Sequence, residues 1–348
     1  YGDHRDLHSF PTRRSSIWVH QSKVELEKNP SYWDADSVKL QKVTMNIIKE
    51  ETSRMNSLYN GSLDSAAVTK QEWIDKFNQT GKFNVIKGYD ASTTYEFFNQ
   101  KDKYFSNAKI RKAFIIAKDR VNTAKVLFRG LAEPAYAWCP PGIQINGKDF
   151  RTLVGSNPVE QLTKDNPDPK ALLIEGLKEI GVDPDPSKMD VVYLEAGTDA
   201  RSREFAEFDQ QTYTKVLGVN MKVQYVEWPV FQKMTDEMNY QIGGMAWGAD
   251  YNDPNTFFDM WVTGAGIVPT GWSNKKYDDL IKDAGNTMDT NQRLEDFKQA
   301  ENILIYEDGV ISPGVYRFKN TFRRKYVKDL MSPMFGSGGD FKYAYTDG

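Results

Sequence analysis

The chain predicts an α/β fold on a mixed sheet, and three observations carry that prediction. Short runs rich in β-branched and aromatic residues recur, among them 42–48 (KVTMNII) and 93–98 (TTYEFF). Between such runs lie segments whose apolar residues fall at helical spacing. One strand-helix-strand run, over residues 190–194, 203–217 and 221–226, has the make-up of a βαβ unit, whose strands run parallel. Alternation of this kind calls for a sheet covered by helices.

The elements follow in order. Residues 42–48 read as a strand. Residues 52–59 place Met55, Leu58 and Tyr59 on one helical face, and Asn60-Gly61 closes the helix. Residues 93–98 form a dense aromatic strand. Residues 107–128 read as one long amphipathic helix, with Ile110, Phe114, Ala117, Val121, Ala124 and Phe128 on a single stripe. Residues 169–180 repeat that logic and end at Gly181, and a further helix is expected over 292–306. The charged break 100–103 (QKDK) and the Pro-Gly break within 311–318 (ISPGVYRF) suit two crossings between domains.

Composition narrows the chemistry. With 348 residues there is room for two or more domains. A net charge of -3 with 27% charged residues offers no attraction to nucleic acid or acidic membrane surfaces. No apolar run approaches the ~18 residues of a membrane span. The histidines are His4, His8 and His20, and Cys139 is the sole cysteine. A nucleophilic triad needs an imidazole base, and zinc needs several ligands at defined spacing; neither is supplied, and no cofactor or metal is expected. Residues 336–339 (GSGG) lack the Lys and Ser/Thr of a phosphate loop. Cys139, within WCPPG, reads as a small buried hydrophobe, with a reactive thiol as the alternative. Carboxylate pairs such as Asp278-Asp279 and Glu50-Glu51 are compatible with a glycosidase-like hydrolase, but sit in polar contexts where solvated faces are the default.

Residues 245–254, MAWGADYNDP, are the most informative stretch. An aromatic, a run of small residues and a carboxylate beside Tyr251 make a wall for an extended ligand bearing an amine. Small residues admit close backbone approach, and Asp250 is a candidate anchor through charge-assisted hydrogen bonds. The plain alternative is a turn after a strand, punctuated by Asn252, Asp253 and Pro254.

Several blocks resemble one family in order: 28–33 (KNPSYW), 58–64 (LYNGSLD), 105–120 (FSNAKIRKAFIIAKDR), the pair Glu227-Trp228, and MAWGADYNDP. The chain resembles the extracytoplasmic solute-binding proteins of peptide ABC importers, the oligopeptide and dipeptide receptors of family five, cluster C. The resemblance covers nearly everything from Ile17 onward. It implies a periplasmic-binding-protein-like fold, two lobes of mixed sheet covered by helices and joined by a hinge, with lobe one at 17–99 plus 315–348 and lobe two at 100–314. Residues 1–16 stand apart: 8–16 (HSFPTRRSS) look like a translated sequencing adaptor, so 1–16 are read as a non-native leader. The family's secretion signal and first-lobe start are then expected upstream.

The resemblance also implies a non-catalytic role: a monomer that captures peptides outside the cytoplasm and passes them to ABC permease subunits, touching membrane only through a lipid anchor or that permease. Asp250 would take the peptide's α-ammonium, and backbone groups of Ala246, Gly248 and Ala249 would pair with its main chain. Trp247 and Trp228 would offer apolar faces, although a buried Trp serves equally as core; Tyr95, on an aromatic strand, faces the same alternative. Relatives carry basic residues between these tryptophans, whereas here Lys233 stands alone. Longer peptides, a non-peptide amine or sugar-like ligand, or a signalling role therefore stay open.

Overall fold

A computed structural model describes residues 17–19, 22–332 and 340–347. The leader 1–16, all three histidines and the glycine run 336–339 lie outside them. The chain divides into two compact units, one running to Gly88 and resuming at Lys319, the other continuous over Tyr89–Phe318.

The smaller unit contains an antiparallel three-stranded sheet of β1 (Ile17–Val19), β2 (Lys23–Glu27) and β3 (Lys42–Asn46), so the strand expected over 42–48 is present. Helix α1 (Glu51–Asn60) ends on Gly61 at φ 91, a left-handed cap that glycine adopts without strain. Strand β4 (Ser65–Ala67) and α2 (Gln71–Thr80) follow. Met55, Leu58, Val68, Trp73, Ile74, Phe77, Phe83 and Phe322 form this unit's core.

The larger unit starts within β5 (Phe83–Phe98). Residues 107–128 are not one helix. Helix α3 (Ala108–Ala117) stops at Lys118, which is extended (φ -63, ψ 123), and the chain restarts as the turn α4 (Arg120–Asn122) and a π-helical turn over Thr123–Leu127. The break has a physical cause. Lys118 and Arg120, which a continuous helix would place by periodicity alone, are both buried and turned to internal partners. Arg120 donates to the carbonyls of Ile115, Lys118, Ala135 and Pro313 and to Ser312 Oγ. Val121, expected on the apolar stripe, is 54% exposed.

Strands β6 (Ala132–Pro134), β7 (Gln144–Ile145) and β8 (Lys148–Asp149) lead to α5 (Phe150–Val154), α6 (Pro158–Asp165) and α7 (Pro169–Glu179). Helix α7 packs closely on α3 because Gly176 leaves no Cβ to meet Ile110, whose Cγ1 would lie 2.6 Å from it. Strand β9 (Asp190–Ala196), helix α8 (Ala200–Leu217) and β10 (Asn220–Val226) make the expected parallel unit, with Asp190 opposite Asn220 and Ala196 opposite Val226. Helix α9 (Trp228–Asp236) then precedes β11 (Ile242–Gly248). Helices α10 (Asn255–Phe258), α11 (Lys275–Asn286) and α12 (Thr290–Asn302) lead to β12 (Ile311–Arg324). In this unit the sheet order is β10-β9-β11-β5-β12, with β6 on β12.

The unit divisions fall at 88/89 and 318/319, whereas the sequence places the crossings at 99/100 and 314/315. Hydrogen bonding accounts for the difference. Ser92–Phe98 of β5 are laddered to β11, and Val315–Arg317 of β12 to β6, which ties both stretches to the larger unit.

Candidate ligand-binding site

The site grows from the ladder between β11 and β5, whose register runs from Ile242↔Phe98 to Gly248↔Ser92. Alternate residues share a face, so Gly243, Met245 and Trp247 lie with Phe97, Tyr95 and Thr93. Gly244, Ala246 and Gly248 lie with Glu96, Thr94 and Ser92. The other edge of β11 is different. It pairs with β9 only at Ile242↔Tyr193 and Gly243↔Leu194. From Gly244 to Gly248 that edge has no partner strand among the described residues. Unpaired strand edges accept an added strand through main-chain hydrogen bonds, and Ala246 and Gly248 are exposed along this one.

Beyond the strand the chain turns through a loop fixed at several points. Ala249, itself buried, donates its N–H to the Ala91 carbonyl at 2.9 Å. The half-buried Trp247 donates Nε1–H to the Thr256 carbonyl at 2.7 Å. Asn252 Oδ1 accepts from the Gln144 N–H, and Asp253 is gripped by Arg293. Asp250 stands between these ties. Its N–H donates to Thr256 Oγ1 at 3.2 Å, while its exposed carboxylate has no hydrogen-bond or ion-pair partner among the described residues. The loop ties thus separate by residue: the side chains of Asn252 and Asp253 hold the loop, whereas the Asp250 carboxylate takes no part in holding it.

Other candidates are placed as follows. Tyr251 is 44% exposed, its hydroxyl accepting from Asn255 Nδ2 and donating to Asp259, with burial raising its pKa. Trp228 is 49% exposed at the start of α9 and stacks on Phe231 at 5.6 Å, so it is not core. Tyr95 does belong to the core. It is 2% exposed, edge-on to Trp138 at 4.7 Å, with its hydroxyl toward Met245 Sδ. Its ring packs against Phe97, Trp138 and Trp261. Lys233 is exposed on α9, 3.9 Å from Glu237.

Sequence reasoning missed the polar interior behind β11. Lys118 Nζ lies 2.7 Å from Glu96 and 3.1 Å from Asp209, and Tyr213 donates to Glu96 Oε2 at 2.5 Å. Burial raises the Asp209 carboxyl to about 6, while the two acids raise the ammonium pKa against its own desolvation and keep Lys118 charged. The extended Glu195 and the supporting Arg293 were also missed. The visible signal for Glu195 was a carboxylate at the end of an otherwise apolar strand pattern. Cys139 is buried and unpaired, and burial pushes its thiol up, as expected of a structural cysteine. The acid pairs suggested for hydrolysis are separately engaged. Asp278 accepts from the Thr263 N–H, Asp279 pairs with Lys275, and Glu51 pairs with Lys70.

The larger unit thus combines a mixed sheet, an open inner strand edge and a loop tied down on either side of an exposed carboxylate. Residues 14–268 match the family model described as bacterial extracellular solute-binding proteins, family 5. The chain belongs to that family. It is 33% identical over 301 residues to the dipeptide-binding protein DppE of Bacillus subtilis, covering 86% of this chain and 53% of that protein. It is 31% identical over 329 residues to the oligopeptide-binding protein OppA of the same organism, covering 93% and 58%. The solved Listeria monocytogenes OppA bound to peptide superposes with a TM-score of 0.81 at 26% identity, covering 97% of this chain and 64% of that one. The chain therefore spans little more than half the length of these curated relatives. The periplasmic-binding-protein-like fold expected from the sequence is the fold of these neighbours.

Proposed function

We propose that this chain binds oligopeptides outside the cytoplasm and hands them to an ABC-type peptide permease, without catalysing any reaction. The observation that carries this reading is the pairing of an unpartnered β11 edge with the unpartnered Asp250 carboxylate a short step beyond it. A strand edge reads main chain and ignores side chains, which suits a receptor for many sequences. A carboxylate at its end fixes one terminus by taking the α-ammonium, a charge-assisted bond contributing ~1.5 to 3 kcal/mol. The names of the Bacillus subtilis relatives and the peptide bound to the Listeria protein support the same ligand class.

On this reading the two units are the two lobes, the working form is a monomer, and membrane contact comes through a lipid anchor or the permease. Backbone groups of Ala246, Gly248 and Ala249 contact the peptide, and Trp247, Tyr251 and Trp228 offer it apolar surface. Mass spectrometry of ligand released from gently purified protein tests the proposal. Mixed intact peptides are expected. A single non-peptide mass, or cleaved products, would replace it with a different receptor or a hydrolase.

A further inference from the structure

Strands β9 and β11 part at a defined point. Tyr193 and Leu194 pair with Ile242 and Gly243, and the ladder then stops. Strand β9 runs on through Glu195 and Ala196, paired on its far side with Tyr225 and Val226. Tyr193 and Glu195 share one face of β9. On that face a Cβ at Gly244 would collide with the Tyr193 hydroxyl, which therefore lies beneath the parted strands. Tyr193 is only 4% exposed, and its hydroxyl has no hydrogen-bond partner among the described residues.

Glu195 is the third acid of this neighbourhood. Glu96 and Asp209 already share the Lys118 ammonium. Arg120, whose charge also reaches this cluster, has its donors committed to four carbonyls and to Ser312. Glu195 has no ion pair among the described residues; Ser202, which also hydrogen-bonds Asp199, is its polar neighbour. Two carboxyls thus hold the one ammonium, and the third acid, Glu195, is the first residue of β9 past its pairing with β11. Burial first, and Asp209 next, push Glu195 up to about 8, and an incoming cation would favour its ionised form.

We propose that Glu195 sets ligand preference by receiving a cationic side chain, lysine or arginine, of a peptide laid along the free β11 edge, with the Tyr193 hydroxyl as a second polar contact. The proposal rests on the peptide reading above. Because side chains alternate along an added strand, the preference falls at one ligand position rather than all.

The test is calorimetric titration of the protein with tetra-alanine peptides carrying lysine at each position in turn, and with their norleucine counterparts. At one position lysine should bind at least tenfold more tightly than norleucine, and in Glu195→Gln that ratio should shrink to within twofold. Alanine peptides that bind the wild type while no position prefers lysine, or a preference that survives Glu195→Gln, would overturn the Glu195 role and leave peptide binding standing. Failure of the wild type to bind any of these peptides would remove the peptide reading and this proposal together.

Discussion

Arg293 holds Asp253 with two parallel hydrogen bonds, Nη1 to Oδ2 at 2.7 Å and Nη2 to Oδ1 at 2.8 Å. Bidentate guanidinium-carboxylate pairs fix geometry as well as adding energy, and this one anchors the loop that carries Asp250 to α12. Arg293→Ala should weaken peptide affinity roughly tenfold while costing about 1 kcal/mol of stability, since the pair is partly exposed. Parallel calorimetry and thermal melts check it; a melt that collapses without a proportionate affinity loss would make the pair merely structural.

Asp250→Asn keeps the size of the side chain and removes its charge. Its exposed carboxylate holds nothing in the fold, so melting should be unchanged while peptides with a free α-amine lose ten- to a hundredfold in affinity, about 1.4 kcal/mol per factor of ten. N-acetylated peptides, lacking that charge, should bind wild type and variant alike.

Gly244→Ala should be destabilising, because the new methyl meets the Tyr193 hydroxyl. Adding Tyr193→Phe removes the colliding atom, so the double variant should melt above the single one. A double variant no more stable than Gly244→Ala alone would show that backbone conformation, rather than this contact, requires glycine.

The raised Glu195 pKa sets a pH window. Its folded-state value, about 8, lies above the ordinary 4.5, so the folded protein holds this proton more tightly than the unfolded chain. Stability from that source is full below pH 4.5 and is lost as pH rises from there toward 8. Glu195→Gln escapes the loss. The variant should gain on the wild type between pH 5 and pH 8.5 by on the order of a few kcal/mol, read as a widening gap in Tm.

Lys233 is exposed and faces Glu237, so it offers no fixed receptor for a peptide's terminal carboxylate. Amidated and free-acid forms of one long peptide should therefore bind within twofold of each other. A tenfold preference for the free acid would reveal a carboxylate site elsewhere.

Much of this was legible in the sequence because it is local. The βαβ unit, the helix closed by Gly61 and the strand TTYEFF follow from spacing and caps over a few residues. The MAWGADYNDP block likewise pointed to a strand running into a loop with a carboxylate, and β11 with the Asp250 loop has that form. What escaped was decided by distant partners. The single helix expected over 107–128 failed because Lys118 and Arg120 are claimed by Glu96, Asp209, Ala135 and Pro313, none near them in sequence. Tyr95, read as either a ligand face or core, is buried against Trp138 and Trp261, residues far from it in sequence. Glu195 carried only the faint signal of a carboxylate ending an apolar strand pattern, because its raised pKa comes from burial first and from Asp209, distant in sequence, next.

Arg111 and Arg120 also bear on the order in which the larger unit can form. Arg111 donates to the carbonyls of Asp308 and Gly309, and Arg120 to that of Pro313, close to two hundred residues further along. Two buried guanidinium groups near the front of the unit thus stay incompletely satisfied until almost its last strand is made, and buried charge without hydrogen bonds is strongly disfavoured. On synthesis, full burial of these two arginines is therefore expected to await the segment around β12. Contacts of such long sequence separation are expected to slow the closing of the larger unit.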